Sequence, residues 1–138
     1  QNAAKKCAED MNKYKTVIVY DPADLSLILH EYKEWGIEIT AKVVGFNEYL
    51  LSLIESGKMK VKKSANEYSL QDHYAYAREL DDCETGRKLI DIVGVNKEML
   101  LIGKEANAAA QPIMAQYMPD VMTQVAKDRW KNAESICR

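Results

Sequence analysis

Four side chains in this 138-residue chain have the types and settings for metal or acid–base chemistry. Asp21 and Asp24 stand in KTVIVYDPADLSLILHEY, residues 15–32, where an apolar run turns into a helical pattern. Asp72 and His73 stand together at the end of a second strand-like segment. Carboxylate oxygens and an imidazole are donors for Mg²⁺, Mn²⁺ or Zn²⁺, and a cation so held polarises a substrate or activates water. His73 is also a candidate general base, although no serine or cysteine beside it makes a credible nucleophile. The acids at 21 and 24 have a simpler reading as well. With Asp21 as N-cap, Pro22 becomes the first helical residue and Asp24 the third. One carboxylate then accepts from exposed amides, and the other sits where the helix dipole favours negative charge.

The cysteines are Cys7, Cys83 and Cys137. Such wide gaps give no local metal-ligand spacing. An odd number in so small a chain argues against a disulfide-stapled secreted module and for a reducing, cytoplasmic setting. Each falls on a helical stripe, which predicts small buried hydrophobes.

The elements that position these groups alternate. Residues 2–13 predict a helix with Ala3, Cys7 and Met11 inward. KTVIVY has no polar alternation and predicts a parallel strand covered on both faces. A helix over 24–35 stops at Gly36, a strand follows over 37–45, and a helix over 46–55 ends at Ser56-Gly57. The pattern continues with a strand over 66–72 and a helix over 76–93 that carries Leu80, Cys83, Leu89 and Ile90 inward. A strand over 98–102 follows. A last helix begins near Pro119 and turns Met122, Val125, Ala126, Arg129, Trp130, Ala133 and Cys137 to one side. This alternation predicts one α/β domain spanning 1–138, a three-layer Rossmann-like parallel sheet with helices on both faces. The chain ends on a helix where another strand is due, so the pattern predicts a domain cropped at its C terminus, a fragment of a longer protein. In an open parallel sheet, ligands gather at the carboxyl ends of strands, where Asp21, Asp72 and His73 are placed.

Composition narrows the function classes. The net charge of −2, with 47% hydrophobic and 29% charged residues, gives no polyanion footprint and no expected nucleic-acid partner. The basic run KMKVKK at 58–63 predicts a solvated loop. No apolar run approaches the ~20 residues of a membrane span, and no GxGxxG or GxxxxGK[ST] supports nucleotide binding.

The order of landmarks resembles the cysteine-rich, CCG-type domain of heterodisulfide reductases and related iron–sulfur oxidoreductases. The family's KCAEDM phrase, followed by a strand and CPxC, corresponds to KKCAEDMNKYKTVIVYDPAD. Asp21 and Asp24 stand where the two thiolates would be. The family's HDPC resembles Gln71-Asp72-His73-Tyr74, with His73 at the proline and Tyr74 at the cysteine. The CCG region corresponds to KEANAAAQP at 104–112, which offers only Ala108, Ala109 and Ala110. A further CPxC would lie past Arg138. In the family, these cysteines ligate iron–sulfur clusters or exchange with disulfides, chemistry that needs soft thiolates. The resemblance therefore implies a degenerate scaffold or docking domain of a larger electron-transfer oxidoreductase. No cofactor is expected in this fragment, and any iron–sulfur cluster would sit elsewhere in the parent assembly. Partners would be redox subunits or an adjoining domain. The implied location is cytoplasmic, reaching a membrane complex only through partners, with no direct membrane insertion. Tyr74 and Tyr76 would fill the space the cluster sulfurs leave. Two alternatives stand beside this reading: a divalent-metal enzyme built on Asp21, Asp24, Asp72 and His73, and an active thiol or iron–sulfur redox domain built on the three cysteines.

Overall fold

The structure is a computed structural model and describes residues 2–109 and 112–136. It divides into two compact units between Lys60 and Val61. The architecture is mixed α/β, and each unit holds a parallel sheet of two strands.

The first unit runs α1 (Asn2–Met11), β1 (Thr16–Val19), α2 (Pro22–Leu29), α3 (Glu31–Glu34), β2 (Lys42–Gly45) and α4 (Phe46–Glu55). β1 and β2 pair in parallel, from Thr16 opposite Lys42 to Val19 opposite Gly45. Gly36 ends α3 at φ +67°, a left-handed conformation that costs glycine little. The core gathers Ala8, Met11, Tyr32 and Ile37, with Ala4, Val17, Ile28 and Ile39 against it. Two expected burials fail here. Cys7 is exposed, because α1 turns Ala4, Ala8 and Met11 inward, one residue away from the expected stripe. β1 is also not covered on both faces: Thr16 and Ile18 are exposed while Val17 and Val19 are half-buried.

The expected strand over 37–45 forms only from Lys42. Asn12 explains the delay. Its amide donates to the Glu38 carbonyl at 3.0 Å and accepts from the amides of Thr40 and Ala41 at 2.7 and 3.3 Å. Backbone groups satisfied by a side chain have no need of a strand partner.

In the second unit, β3 (Glu67–Tyr68) pairs in parallel with β4 (Val95–Asn96). The helix expected over 76–93 is divided into a π-helical turn, Ala75–Glu79, and α5 (Thr85–Val93). Between them Asp81 takes φ 55°, and Asp82 Oδ1 accepts from the amides of Glu84 and Thr85 to start α5. The strand expected over 98–102 is absent. A 3₁₀ turn (Gly103–Glu105), α6 (Pro112–Ala115) and α7 (Pro119–Ile136) complete the unit. Arg129 on α7 is buried as the helical spacing requires, whereas its neighbour Trp130 is 70% exposed, a correction to the expected inward stripe. Cys137 and Ala110 lie outside the described residues. Among the described residues no helix is long and apolar enough to cross a membrane.

Candidate functional site

In the second unit, three side chains, from the irregular segment at 71–72 and the π-helical turn that follows, pin the loop at 103–109. Asp72 Oδ2 accepts from the Gly103 amide at 2.8 Å. Arg78, on the π-helical turn, donates from Nε to the Lys104 carbonyl at 2.9 Å and from Nη2 to the Ala106 carbonyl at 3.2 Å. Gln71 Nε2 reaches the Asn107 carbonyl at 3.0 Å. A cavity of about 190 Å³ remains between these segments. Its walls include Gln71, His73, Tyr74, Arg78, Asn107 and Ala109.

Two buried guanidiniums hold this frame. Arg87 of α5 forms a two-bonded pair with Asp72, Nη1 to Oδ1 and Nη2 to Oδ2, both at 2.8 Å. It also meets Glu98 from Nε at 2.9 Å and from Nη2 at 3.1 Å, and donates from Nη1 to the Cys83 carbonyl. All five of its N–H donors are thereby engaged. Arg129 has neutral partners: Gln71 Oε1 at 2.5 Å, and the carbonyls of Leu100 at 2.8 Å and Leu101 at 3.5 Å. These contacts explain the missing strand over 98–102, since the carbonyls turn toward a side chain and Leu101 adopts φ 58°.

The charges respond to this packing. Burial alone pushes the Asp72 carboxyl up, but the Arg87 guanidinium and the Gly103 amide outweigh it and hold the carboxyl below its ordinary range. The hydrogen bonds that Arg87 donates to Asp72 raise it further above an already high value. Burial lowers Arg129, and the more distant Asp72 charge opposes that shift.

The four acid–base candidates have separate settings. Asp21 is the N-cap of α2: its Oδ1 accepts from the amides of Ala23 and Asp24 at 2.8 and 3.3 Å, with Pro22 and Asp24 in the first turn as expected. Asp21 and Asp24 belong to the first unit. Asp72 and His73 both line the cavity of the second. Three N–H donors already occupy the two Asp72 oxygens, so a cation there would compete with Arg87. His73 Nδ1 accepts from the Ala75 amide at 3.2 Å, which requires a lone pair on Nδ1 and places the proton on Nε2. Its ring stacks on Tyr74, centroids 4.7 Å apart. Among the described residues no three His, Cys, Asp or Glu side chains gather at metal-binding distance. Cys83 is half-buried beside Gly103, and Cys7 lies in the first unit.

The residues that sequence spacing did not single out are Arg78, Arg87 and Asn107. Each works across the chain rather than along it, from loops and helices whose local pattern reads as ordinary surface. No protein-family model matches this chain, and no curated protein and no solved structure matches it.

Proposed function

We propose that this chain is a degenerate scaffold or docking domain of a heterodisulfide-reductase-like electron-transfer oxidoreductase. One observation carries the reading. Gln71-Asp72-His73-Tyr74 and Ala108-Ala109, distant in sequence and aligned by the resemblance with HDPC and CCG, line a single cavity. Two phrases that would supply cluster ligands in the family thus meet at one place, where tyrosine and alanine stand instead of thiolates. Neither side chain is an iron ligand in such sites. The Asp72–Arg87–Glu98 network maintains the frame regardless, because packing and ligation are physically separable.

In this reading the fold class is a three-layer Rossmann-like parallel sheet with helices on both faces. The chain docks against redox subunits or an adjoining domain in the cytoplasm. Catalysis and any iron–sulfur cluster belong to those partners.

Anaerobic reconstitution with iron and sulfide tests the proposal. The wild-type chain should retain no stoichiometric iron or sulfide. A Tyr74→Cys, Ala108→Cys, Ala109→Cys triple variant should gain iron with visible charge-transfer absorption. A wild-type chain that holds a stoichiometric cluster overturns the degenerate-site reading. A triple variant that folds and takes up no iron removes the geometric support for it.

A further inference from the structure

We infer that the cavity between residues 71–74 and 103–109 binds a small planar organic carboxylate. The inference rests on which polar groups the protein has used and which it has left. Gln71 and Asp72 are spent on the frame: Gln71 on Asn107 and Arg129, Asp72 on Arg87 and Gly103. Each of the remaining groups has a hydrogen to donate. Arg78 commits Nε and Nη2 to carbonyls, while Nη1 has no partner among the described residues. The Asn107 side-chain amide and the Tyr74 hydroxyl likewise have none there. His73 carries its proton on Nε2, because Nδ1 faces the Ala75 amide.

The electrostatics have one sign. The only carboxylate on the wall among the described residues is Asp72, already neutralised by the two-bonded contact from Arg87. The Arg78 guanidinium is left as the uncompensated charge on the lining. The free Nη1 offers its N–H donors and the positive charge to an anionic oxygen, a charge-assisted contact that a carboxylate satisfies. The stacked His73–Tyr74 pair adds a flat wall, which favours a planar body behind the anionic group. Size agrees too. A volume of about 190 Å³ exceeds the ~150 Å³ that admits benzene in an apolar cavity, so a ring bearing one carboxylate fits and a dinucleotide does not.

The donors of this cavity are set by its own hydrogen bonds and not by the resemblance, so iron reconstitution and ligand binding succeed or fail separately. The test is calorimetric titration of the full 138-residue chain with benzoate, its neutral isostere benzamide, and inorganic phosphate. Benzoate should bind with one-to-one stoichiometry and at least ten-fold more tightly than either comparator. Arg78→Met, which removes the cation, and Ala109→Leu, which fills the cavity and keeps the charge, should each weaken benzoate at least ten-fold. Ala109→Leu decides the matter if Arg78→Met does not fold. Absence of benzoate binding, equal affinity for benzamide or for phosphate, or unchanged affinity in a folded variant overturns the inference.

Discussion

Arg87 and Asp72 meet across fifteen residues of chain as a guanidinium–carboxylate pair with two parallel hydrogen bonds of 2.8 Å. Their side chains are 10% and 5% exposed, so neither can fall back on water if the other is removed. The same Asp72 carboxylate accepts the Gly103 amide, which joins α5, the strand-end loop and the 3₁₀ turn through one group.

Arg87→Met should therefore destabilise the second unit by about 3–5 kcal/mol, the cost of stranding a buried charge. Glu98→Gln should cost less than about 1 kcal/mol, because Glu98 is 38% exposed and solvent compensates it. Urea unfolding followed by circular dichroism gives both values. A smaller loss in Arg87→Met than in Glu98→Gln would reverse the assigned order.

Acid should weaken the same contact in a defined direction. A carboxyl lowered by folding adds stability that is fully present above its unfolded value, near ~3.9, and is lost as pH falls through the lower folded value. Asp72→Asn should be less stable than wild type at pH 7, and the gap should shrink steadily from about pH 5 downward. A gap independent of pH would show that the charge of Asp72 contributes nothing.

Capping and charge are separable at Asp21. Asp21→Ala should cost about 1 kcal/mol, whereas Asp21→Asn, an equally good cap, should cost only a few tenths. Thermal unfolding of the two variants makes the comparison. If calorimetric titration with Mg²⁺ or Zn²⁺ gave heat that Asp21→Asn abolished, the carboxylate would have a role beyond starting α2.

Gly94 sits against the β3 segment with no room for a side chain. A Cβ there would lie 2.3 Å from the Tyr68 ring and 2.6 Å from the Asn66 carbonyl oxygen. The ring can swing aside, but the backbone oxygen cannot do so without loosening the β3–β4 pair. Gly94→Ala should cost about 1–3 kcal/mol and speed amide exchange at Val95 and Lys97, which donate to Asn66 and Tyr68.

What the sequence reveals about this fold follows the range of the interaction. The Asp21 cap, the stop at Gly36 and the bounds of α4 are decided within a few residues, and all were legible. Parallel pairing was legible in the unrelieved VIV run. The depth of that strand was not, because a two-stranded sheet leaves Ile18 42% exposed. Cys7 and Trp130 were each misplaced by one position, a rotation of about 100° that periodicity hardly resolves over a short stripe. The false strand at 98–102 and the unbroken helix at 76–93 have causes that lie elsewhere: Arg129 for the first, the Asp81-Asp82 turn for the second. The site divides in the same way. Asp72 and His73 stood out at the end of a strand expected over 66–72, although β3 stops at Tyr68, while Arg87 obeys no spacing rule that links it to Asp72.

The grip of Arg129 on the Leu100 carbonyl also imposes an order in time. Arg129 is added to the growing chain 29 residues after Leu100. At roughly 5–20 residues per second, that is an interval of about 1.5–6 seconds. During it the Leu100 and Leu101 carbonyls have no guanidinium to hold them. The turn at Leu101 should accordingly set only once this stretch of α7 has been made.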